Sequence, residues 1–372
     1  MNRTSLRRLA VPSIAALTLG LSVSACGAGN ESSSTGGTGA GGGGGSAISG
    51  TLKGAGSTAQ EAAMASWRAA FQSANSGLTI NYDASGSGAG VQQFTAGGTD
   101  FAASDSALNS AKGEVAAAKT RCGANPVEVP NFVSPIAVIF NLPKVTKLNL
   151  DAKTVAAIFS GKITKWDAQQ IKALNPGAAL PNTSINPVHR SDDSGTTNNF
   201  TDYLSQAAQG GWTYPADKVW PLKSGEGANG TSGLVAAVKS GSGSIGYADA
   251  GQAGSLAKAS IKVGSAYVVP SAAGAAKALE ASPVDTTRAK GDLAIKVDRK
   301  STAAGAYPLM LTSYLIACPS YPKAKADSVK GFLNYIISTQ GQQLAAKNAG
   351  SAPLPASLQT KATAIVKSIT AK

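Results

Sequence analysis

Three stretches of this chain combine Gly, Ser and Thr in ways suited to holding an anion. Gly54-Ala55-Gly56-Ser57-Thr58 follows an apolar strand end at Leu52 and precedes a helical pattern. Gly86-Ser87-Gly88-Ala89-Gly90 precedes a short helix carrying Val91 and Phe94. Arg190-Ser191-Asp192-Asp193-Ser194-Gly195-Thr196-Thr197 lies between an apolar strand, Ile185 to Val188, and a helix marked by Phe200. A helix start exposes unpaired N–H groups and the positive end of the peptide dipoles, so hydroxyls placed there complete an anion cradle. Ser57-x-x-Gln60 and Thr58-x-x-Glu61 both fit the capping box. The Arg190 guanidinium adds a planar fork suited to oxyanions, and Asp192, two residues on, is spaced to hold it. Asp105, after the apolar strand Phe101-Ala102-Ala103, contributes a lone carboxylate. Each feature alone is an ordinary turn or capped helix. Together they read as one site that grips a small oxyanion mainly through neutral donors. Hydrogen bonds to charged groups contribute roughly 1.5–3 kcal/mol each and micromolar binding needs about 8 kcal/mol, so a handful of donors suffices.

Other chemistries fit the residues poorly. The G-x-G-x-G spacing is neither a dinucleotide fingerprint nor a Walker loop. One His and three Cys are too few for a zinc site. Asp193-Ser194-Gly195 resembles the nucleophile loop of trypsin-like proteases. Its one available base, His189, sits five residues from Ser194 on the same turn, whereas a triad needs a base that approaches from elsewhere in the fold. A phosphatase would need two metals or an activated nucleophile. The expectation is a binding protein with no catalytic residues and no cofactor.

The elements that must position these residues are short strands alternating with amphipathic helices. Leu78 to Tyr82, Phe132 to Leu142 and Tyr307 to Ala317 read as strands. Met64, Trp67 and Phe71 share one helix face, and Val329, Phe332, Leu333, Ile336 and Ile337 form the strongest stripe. The alternation predicts an α/β protein with largely parallel sheets. Ser271 to Lys300 has weak periodicity and is expected at the surface. The 372 residues suffice for two domains, and 43% apolar against 14% charged residues exclude a mostly disordered chain.

The amino terminus reads as an export signal. Arg3, Arg7 and Arg8 precede an apolar run from Leu9 to Ser22, and Val23-Ser24-Ala25-Cys26 matches a lipobox, with Cys26 carrying the lipid. Residues 27–47, ten of them Gly, form a flexible tether. The net charge of +13 falls to +10 once the three leader arginines are removed, which suits an anionic partner without specifying one. Cys122 and Cys318 then remain as an even pair in an exported chain and are expected to form a disulfide.

Taken together, these residues resemble the phosphate-binding protein of the high-affinity phosphate ABC importer (PstS type). The likeness spans nearly all of the mature chain. It runs through Gly54 to Thr58, Asp100-Phe101-Ala102-Ala103-Ser104-Asp105, Gly161-Lys162-Ile163-Thr164-Lys165-Trp166-Asp167, Leu174-Asn175-Pro176-Gly177, His189 to Thr196, Gly243-Ser244-Ile245-Gly246-Tyr247 and Pro353-Leu354-Pro355. The resemblance implies a type II periplasmic-binding-protein fold, with two α/β domains and an interdomain cleft. It assigns phosphate contacts to Thr58, Ala59, Ser87, Arg190, Ser194, Gly195 and Thr196, with Asp105 accepting a hydrogen that phosphate carries and sulfate lacks. Ala59 stands where the family commonly has an aromatic residue, and Asp193 where it usually has Gly.

Residues 48–132 with 308–372 are assigned to one domain and 133–307 to the other, with Phe132 to Leu142 and Tyr307 to Ala317 crossing between them. The expected partners are inorganic phosphate, the permease subunits of an ABC importer, and the outer face of the cell membrane through the lipid anchor. No nucleic acid is expected, and the chain should be a monomer. A binder of another oxyanion, or a surface adhesin or phosphate sensor reusing the fold, are the alternatives.

Overall fold

The computed structural model describes residues 48–372, so the leader, Cys26 and the whole of the tether lie outside the described residues. The first stretch contains β1 (Gly50–Gly56), α1 (Glu61–Ala74), β2 (Leu78–Asp83), α2 (Ser87–Thr95), β3 (Phe101–Ser104) and α3 (Glu114–Cys122). It is followed by β4 (Val127–Asn141), β5 (Asn149–Leu150), α4 (Ala152–Phe159), α5 (Gln169–Leu174), β6 (Asn186–Arg190), α6 (Gly195–Ala207), β7 (Glu226–Ala228), α7 (Gly230–Ser240) and β8 (Ser244–Asp249). Three short strands come next, β9 (Ala257–Lys258), β10 (Ser260–Val263) and β11 (Ala266–Val268), and then α8 (Ala272–Glu280) and β12 (Met310–Ala317). The chain ends with β13 (Ser320–Tyr321), α9 (Lys323–Ile337), α10 (Thr339–Ala349), α11 (Ala356–Lys367) and β14 (Thr370–Ala371). Among the described residues no helix is long and apolar enough to cross a membrane.

One sheet organises the molecule, in the order β2-β1-β3-β12-β4-β8-β6-β7, with β9 also paired to β4. The pairs β1–β2, β1–β3, β6–β7 and β6–β8 are parallel, as strand–helix alternation predicts. The middle of the sheet is not: β12 runs antiparallel to both β3 and β4, and β4 antiparallel to β8. The largely parallel expectation is therefore corrected to a mixed sheet. The physical reason is connectivity. A right-handed crossover demands parallel neighbours, but β12 returns from a distant part of the chain and is free to pair either way.

Fifteen-residue β4 holds the sheet together. Its first half pairs with β12 and its second half with β8. Nearly all of β4 and all of β12 are buried, which accounts for their continuous apolar runs. Ser313 opposes Phe132 and Tyr314 opposes Pro130, so Asn131 is an extra residue on β4. The Asn131 amide donates to Gln60 Oε1 at 2.7 Å. Gln60 thus cannot complete the reciprocal capping box expected at α1. Half of that box forms: Ser57 Oγ accepts the N–H groups of Ala59 at 3.1 Å and Gln60 at 3.4 Å.

The helices bury the stripes read from sequence. Met64, Trp67 and Phe71 of α1 are buried, as are Val329, Phe332, Leu333, Ile336 and Ile337 of α9, and Phe332 packs on Phe71 with ring centroids 5.4 Å apart. The segment Ser271 to Lys300 differs from expectation. It forms α8 and carries Arg299 and Asp292 into the interior, and Leu293 N–H donates to the Glu128 carbonyl on β4. Its periodicity is weak because its burial relies on ion pairs. Arg288 bonds both Glu128 and Asp292.

Cys122, ending α3, and Cys318, just past β12, form a disulfide across 196 residues of sequence. Closing so long a loop removes denatured-state entropy equivalent to about 5 kcal/mol as an upper figure. Urea denaturation with and without reductant, or of Cys122→Ser, is expected to show a stability loss of several kcal/mol. An unchanged midpoint would refute the constraint.

Candidate functional site

The three anion-ready stretches, at the carboxy-terminal ends of β1, β2 and β6 where the chain turns into helices, meet around Asp105 just past β3. The chain leaves β1 at Gly56, and Ser57 N–H donates to the Ala103 carbonyl of β3 at 2.8 Å, which fixes the turn that presents Ser57 and Thr58. The glycine stretch after β2 lies inside α2 instead of before it. Close packing explains its spacing. A Cβ on Gly90 would lie 2.3 Å from the Gly56 Cα, and one on Gly88 would lie 2.3 Å from the Asp193 Cβ. Gly88 N–H donates to the Asp193 carbonyl at 2.9 Å, joining α2 directly to the Arg190–Thr197 stretch. Asp193, the departure from the family pattern, therefore docks its backbone and Cβ on α2. Ser194 caps α6, its hydroxyl accepting the Thr197 N–H at 3.2 Å.

Asp105 is the hub. It is 2% exposed. Its Oδ1 accepts the Ser57 hydroxyl and, at 2.7 Å, the Ser313 hydroxyl. Its Oδ2 has two looser neighbours, Ser87 Oγ and Thr196 Oγ1, both at 3.4 Å. The main chain is pinned as well: Asp105 N–H donates to Ser87 Oγ at 3.1 Å, and Asn199 donates to the Asp105 carbonyl. Burial pushes the carboxyl above its ordinary range, against hydrogen bonds from Ser57 and Ser313 and the charge of Arg190.

Arg190 forms a second network. Its Nε and Nη2 donate to the two oxygens of Asp192 at 2.7 and 2.5 Å, and Nη1 lies 3.4 Å from Thr231 Oγ1. Thr231 opens α7, and its N–H donates to Thr58 Oγ1 at 3.2 Å. Asp192 also accepts the Gly230 N–H at 3.0 Å. Desolvation would raise the Asp192 carboxyl, but the Arg190 hydrogen bonds outweigh it and hold it below its usual value. Tyr247 supports this network, bonding the Arg190 N–H at 3.2 Å and Thr197 Oγ1 at 2.7 Å.

Thr58, Ser87, Asp105, Arg190, Gly195 and Thr196 are thus brought together. A Cβ on Gly195 would sit 2.6 Å from Ser87 Oγ. Gly195 and Thr196 are the first two residues of α6, whose N–H groups have no carbonyl within the helix to reach. Ala59 and Ser194 lie in the same turns, with the Ala59 N–H and the Ser194 hydroxyl engaged internally. Sequence reasoning missed four participants: Ser57 as an Asp105 partner, Asn199, Thr231 and Ser313. A polar residue inside an apolar strand was the available signal for Ser313, and a Gly-Thr helix start after β7 the signal for Thr231. His189 stacks on Trp220 at 5.1 Å and its Nδ1 lies 2.9 Å from the Arg190 carbonyl, so it is committed to packing. Among the described residues no group of three or more His, Cys, Asp or Glu is placed to hold a metal ion.

Asp249, at the end of β8, is a second buried carboxyl near the hub. Burial raises it to about 7, and the nearby charge of Asp105 adds to the effect. One of its oxygens, Oδ2, has no hydrogen-bond partner. A carboxyl that binds its proton better when folded contributes stability fully below about pH 4, its unfolded value, and loses it as pH rises through about 7. Asp249→Asn is therefore expected to raise the melting temperature at pH 8 and to flatten its decline between pH 5 and 8. A steeper decline in the variant would refute this.

Comparison with known proteins agrees with this architecture. The PBP superfamily domain profile matches residues 41–340. The phosphate-binding protein PstS 3 of Mycobacterium leprae is 38% identical over 361 residues, 94% of this chain and 95% of its own. The phosphate-binding protein PstS2 of Mycobacterium bovis is 38% identical over 97% of this chain and 98% of its own. Among solved structures, a phosphate-binding protein from Stenotrophomonas maltophilia superposes with a TM-score of 0.66 at 20% identity, covering 85% of this chain and 94% of that one, and so shares the fold. A mixed α/β sheet with this profile, and identity of this extent over almost the whole length, mean that the chain belongs to the PstS-type phosphate-binding proteins of the PBP superfamily.

Proposed function

We propose that this chain captures inorganic phosphate outside the cytoplasm and delivers it to the membrane permease of an ABC importer, without hydrolysing anything itself. The observation that carries the reading is charge balance. Arg190 is already matched by Asp192, and Asp105 adds a buried negative charge. An anion can enter such a place only by taking hydrogen bonds from many neutral donors and by bringing a hydrogen for Asp105. Mono- and dihydrogen phosphate carry that hydrogen, whereas sulfate at neutral pH does not. Thr58, Ala59, Ser87, Arg190, Ser194, Gly195 and Thr196 are the proposed donors, the Ala59 N–H turning from Ser57 Oγ to the ion, and Asp105 is the proposed acceptor.

In this reading residues 48–132 with 308–372 form one lobe and 133–307 the other, and the two close on the ion, stripping its water so that each donor acts in a lower dielectric. The Gly88–Asp193 and Thr58–Thr231 bonds are contacts a closed state would use. The lipid anchor at Cys26 would keep this lobe pair on the outer membrane face, within reach of the permease. The names of the relatives support phosphate as the ligand.

Titration calorimetry of the intact protein with phosphate and with sulfate tests the assignment. Phosphate should bind at micromolar or better, and tighter binding of sulfate would overturn the reading. Arg190→Ala should weaken phosphate by about a hundredfold, because a charged donor is lost and Asp192 is left uncompensated. Unchanged affinity would contradict the role given to Arg190. Gly88→Ala should weaken phosphate by roughly tenfold, since the added methyl overlaps Asp193 only when the lobes meet. Its melting temperature without phosphate should stay near that of the parent, and a large drop there would place the clash in the fold instead of in closure.

A further inference from the structure

Asp105 receives donors from four separate parts of the chain, and the two shortest contacts come from residues outside the proposed ligand set. Ser57 belongs to the turn between β1 and α1, and Ser313 to β12, 208 residues from Asp105 in sequence; both are fully buried. Both hydroxyls donate to the same oxygen, Oδ1. A carboxylate oxygen has two acceptor positions, so Oδ1 is filled. Oδ2 has hydroxyl neighbours only at 3.4 Å, from Ser87 and Thr196, well beyond the usual 2.5–3.0 Å for such bonds. The carboxylate therefore presents one saturated and one open oxygen.

We propose that Ser57 and Ser313 are positioning residues that set anion specificity: by filling Oδ1 they keep the buried Asp105 ionised and leave Oδ2 as an acceptor that demands a hydrogen on the bound oxyanion. This inference rests on the phosphate reading above. The other charged or titratable groups that act on Asp105 are Arg190 from β6, which favours the ionised form, and Asp249 from β8 and Tyr82 from β2. Arg190 is itself matched by Asp192, which leaves the two hydroxyls as the nearest support for the negative charge. Burial works against that charge, and the hydrogen bonds from Ser57 and Ser313 are the foremost effects opposing it. Without them burial would be opposed by less, Asp105 would hold a proton more readily, and a protonated carboxyl is a donor. A donor at that position accepts sulfate as readily as phosphate.

The test is the ratio of phosphate to sulfate affinity, measured by calorimetry at pH 6 and pH 8 for the parent, Ser57→Ala/Ser313→Ala and Ser313→Thr. In the double variant the ratio should fall by at least about tenfold at pH 6 and by less at pH 8, because higher pH favours the ionised carboxylate. Ser313→Thr keeps a hydroxyl and should keep the parental ratio. A purely structural defect would weaken both anions together, so an unchanged ratio at both pH values in a parent that prefers phosphate overturns this inference alone. A parent that fails to bind phosphate overturns the phosphate reading, and this inference with it. Should the double variant not fold, Ser313→Ala carries the same comparison, with a smaller fall expected at pH 6 and an unchanged ratio again counting against the proposal.

Discussion

The organisation of the site follows from satisfying one buried carboxyl group, that of Asp105. Taking an ionised group out of water is costly unless hydrogen bonds replace the lost hydration. Here the replacement comes from Ser57, Ser313 and, more distantly, Ser87 and Thr196, with the Arg190 charge favouring the same form. Those donors sit in the turn after β1 and on β12, α2 and α6, so satisfying one side chain brings four parts of the chain to a point. The mixed sheet makes this possible. Antiparallel β12 lies between β3 and β4 and delivers Ser313 directly beside the end of β3.

The second network, around Arg190, follows the opposite logic. A buried guanidinium is matched in place by Asp192, and Asp192 is held by the α7 amino terminus through Gly230. The cation is fixed and nearly neutralised before any ligand arrives. Attraction for an anion then depends on aligned dipoles more than on net charge. Dipoles and lone pairs are directional and a free charge is not, which is the basis of the proposed selectivity. The surrounding aromatic packing serves the same end. Tyr247 stacks on Phe200 with ring centroids 4.2 Å apart and supports both the Arg190 backbone and Thr197 from below.

A polar cavity of about 670 Å³ opens beside Asp105, with Asn199, Arg299 and Thr312 among its lining. Two ion pairs stand at its edge, Lys218–Glu114 at 2.6 Å and the more exposed Lys112–Asp217. Both link the α3 region to the segment after α6. The exposed Lys112–Asp217 pair contributes little, whereas Lys218 is buried beside Glu114. The contact between these two regions is thus made of polar groups, one pair exposed and one buried.

Much of the site was legible in the sequence because its parts are local. A helix start is encoded within a few residues, so Thr58, Ser87, Ser194, Gly195 and Thr196 could be singled out by spacing, and Asp192 could be paired with Arg190 across two residues. The apolar stripes of α1 and α9 were legible for the same reason. What the sequence could not decide were the partners chosen by long-range contact. Gln60 abandons its capping role for Asn131, Thr58 meets Thr231 across 173 residues, and Asp105 meets Ser313 across 208. The antiparallel placement of β12 decided the last of these, and no local pattern encodes the direction in which a returning strand pairs. Local hydrogen-bonding chemistry thus marked the candidate residues at the helix starts, while the tertiary structure alone determined which oxygen of Asp105 has close hydroxyl partners and which has not, because those partners arrive from distant parts of the chain.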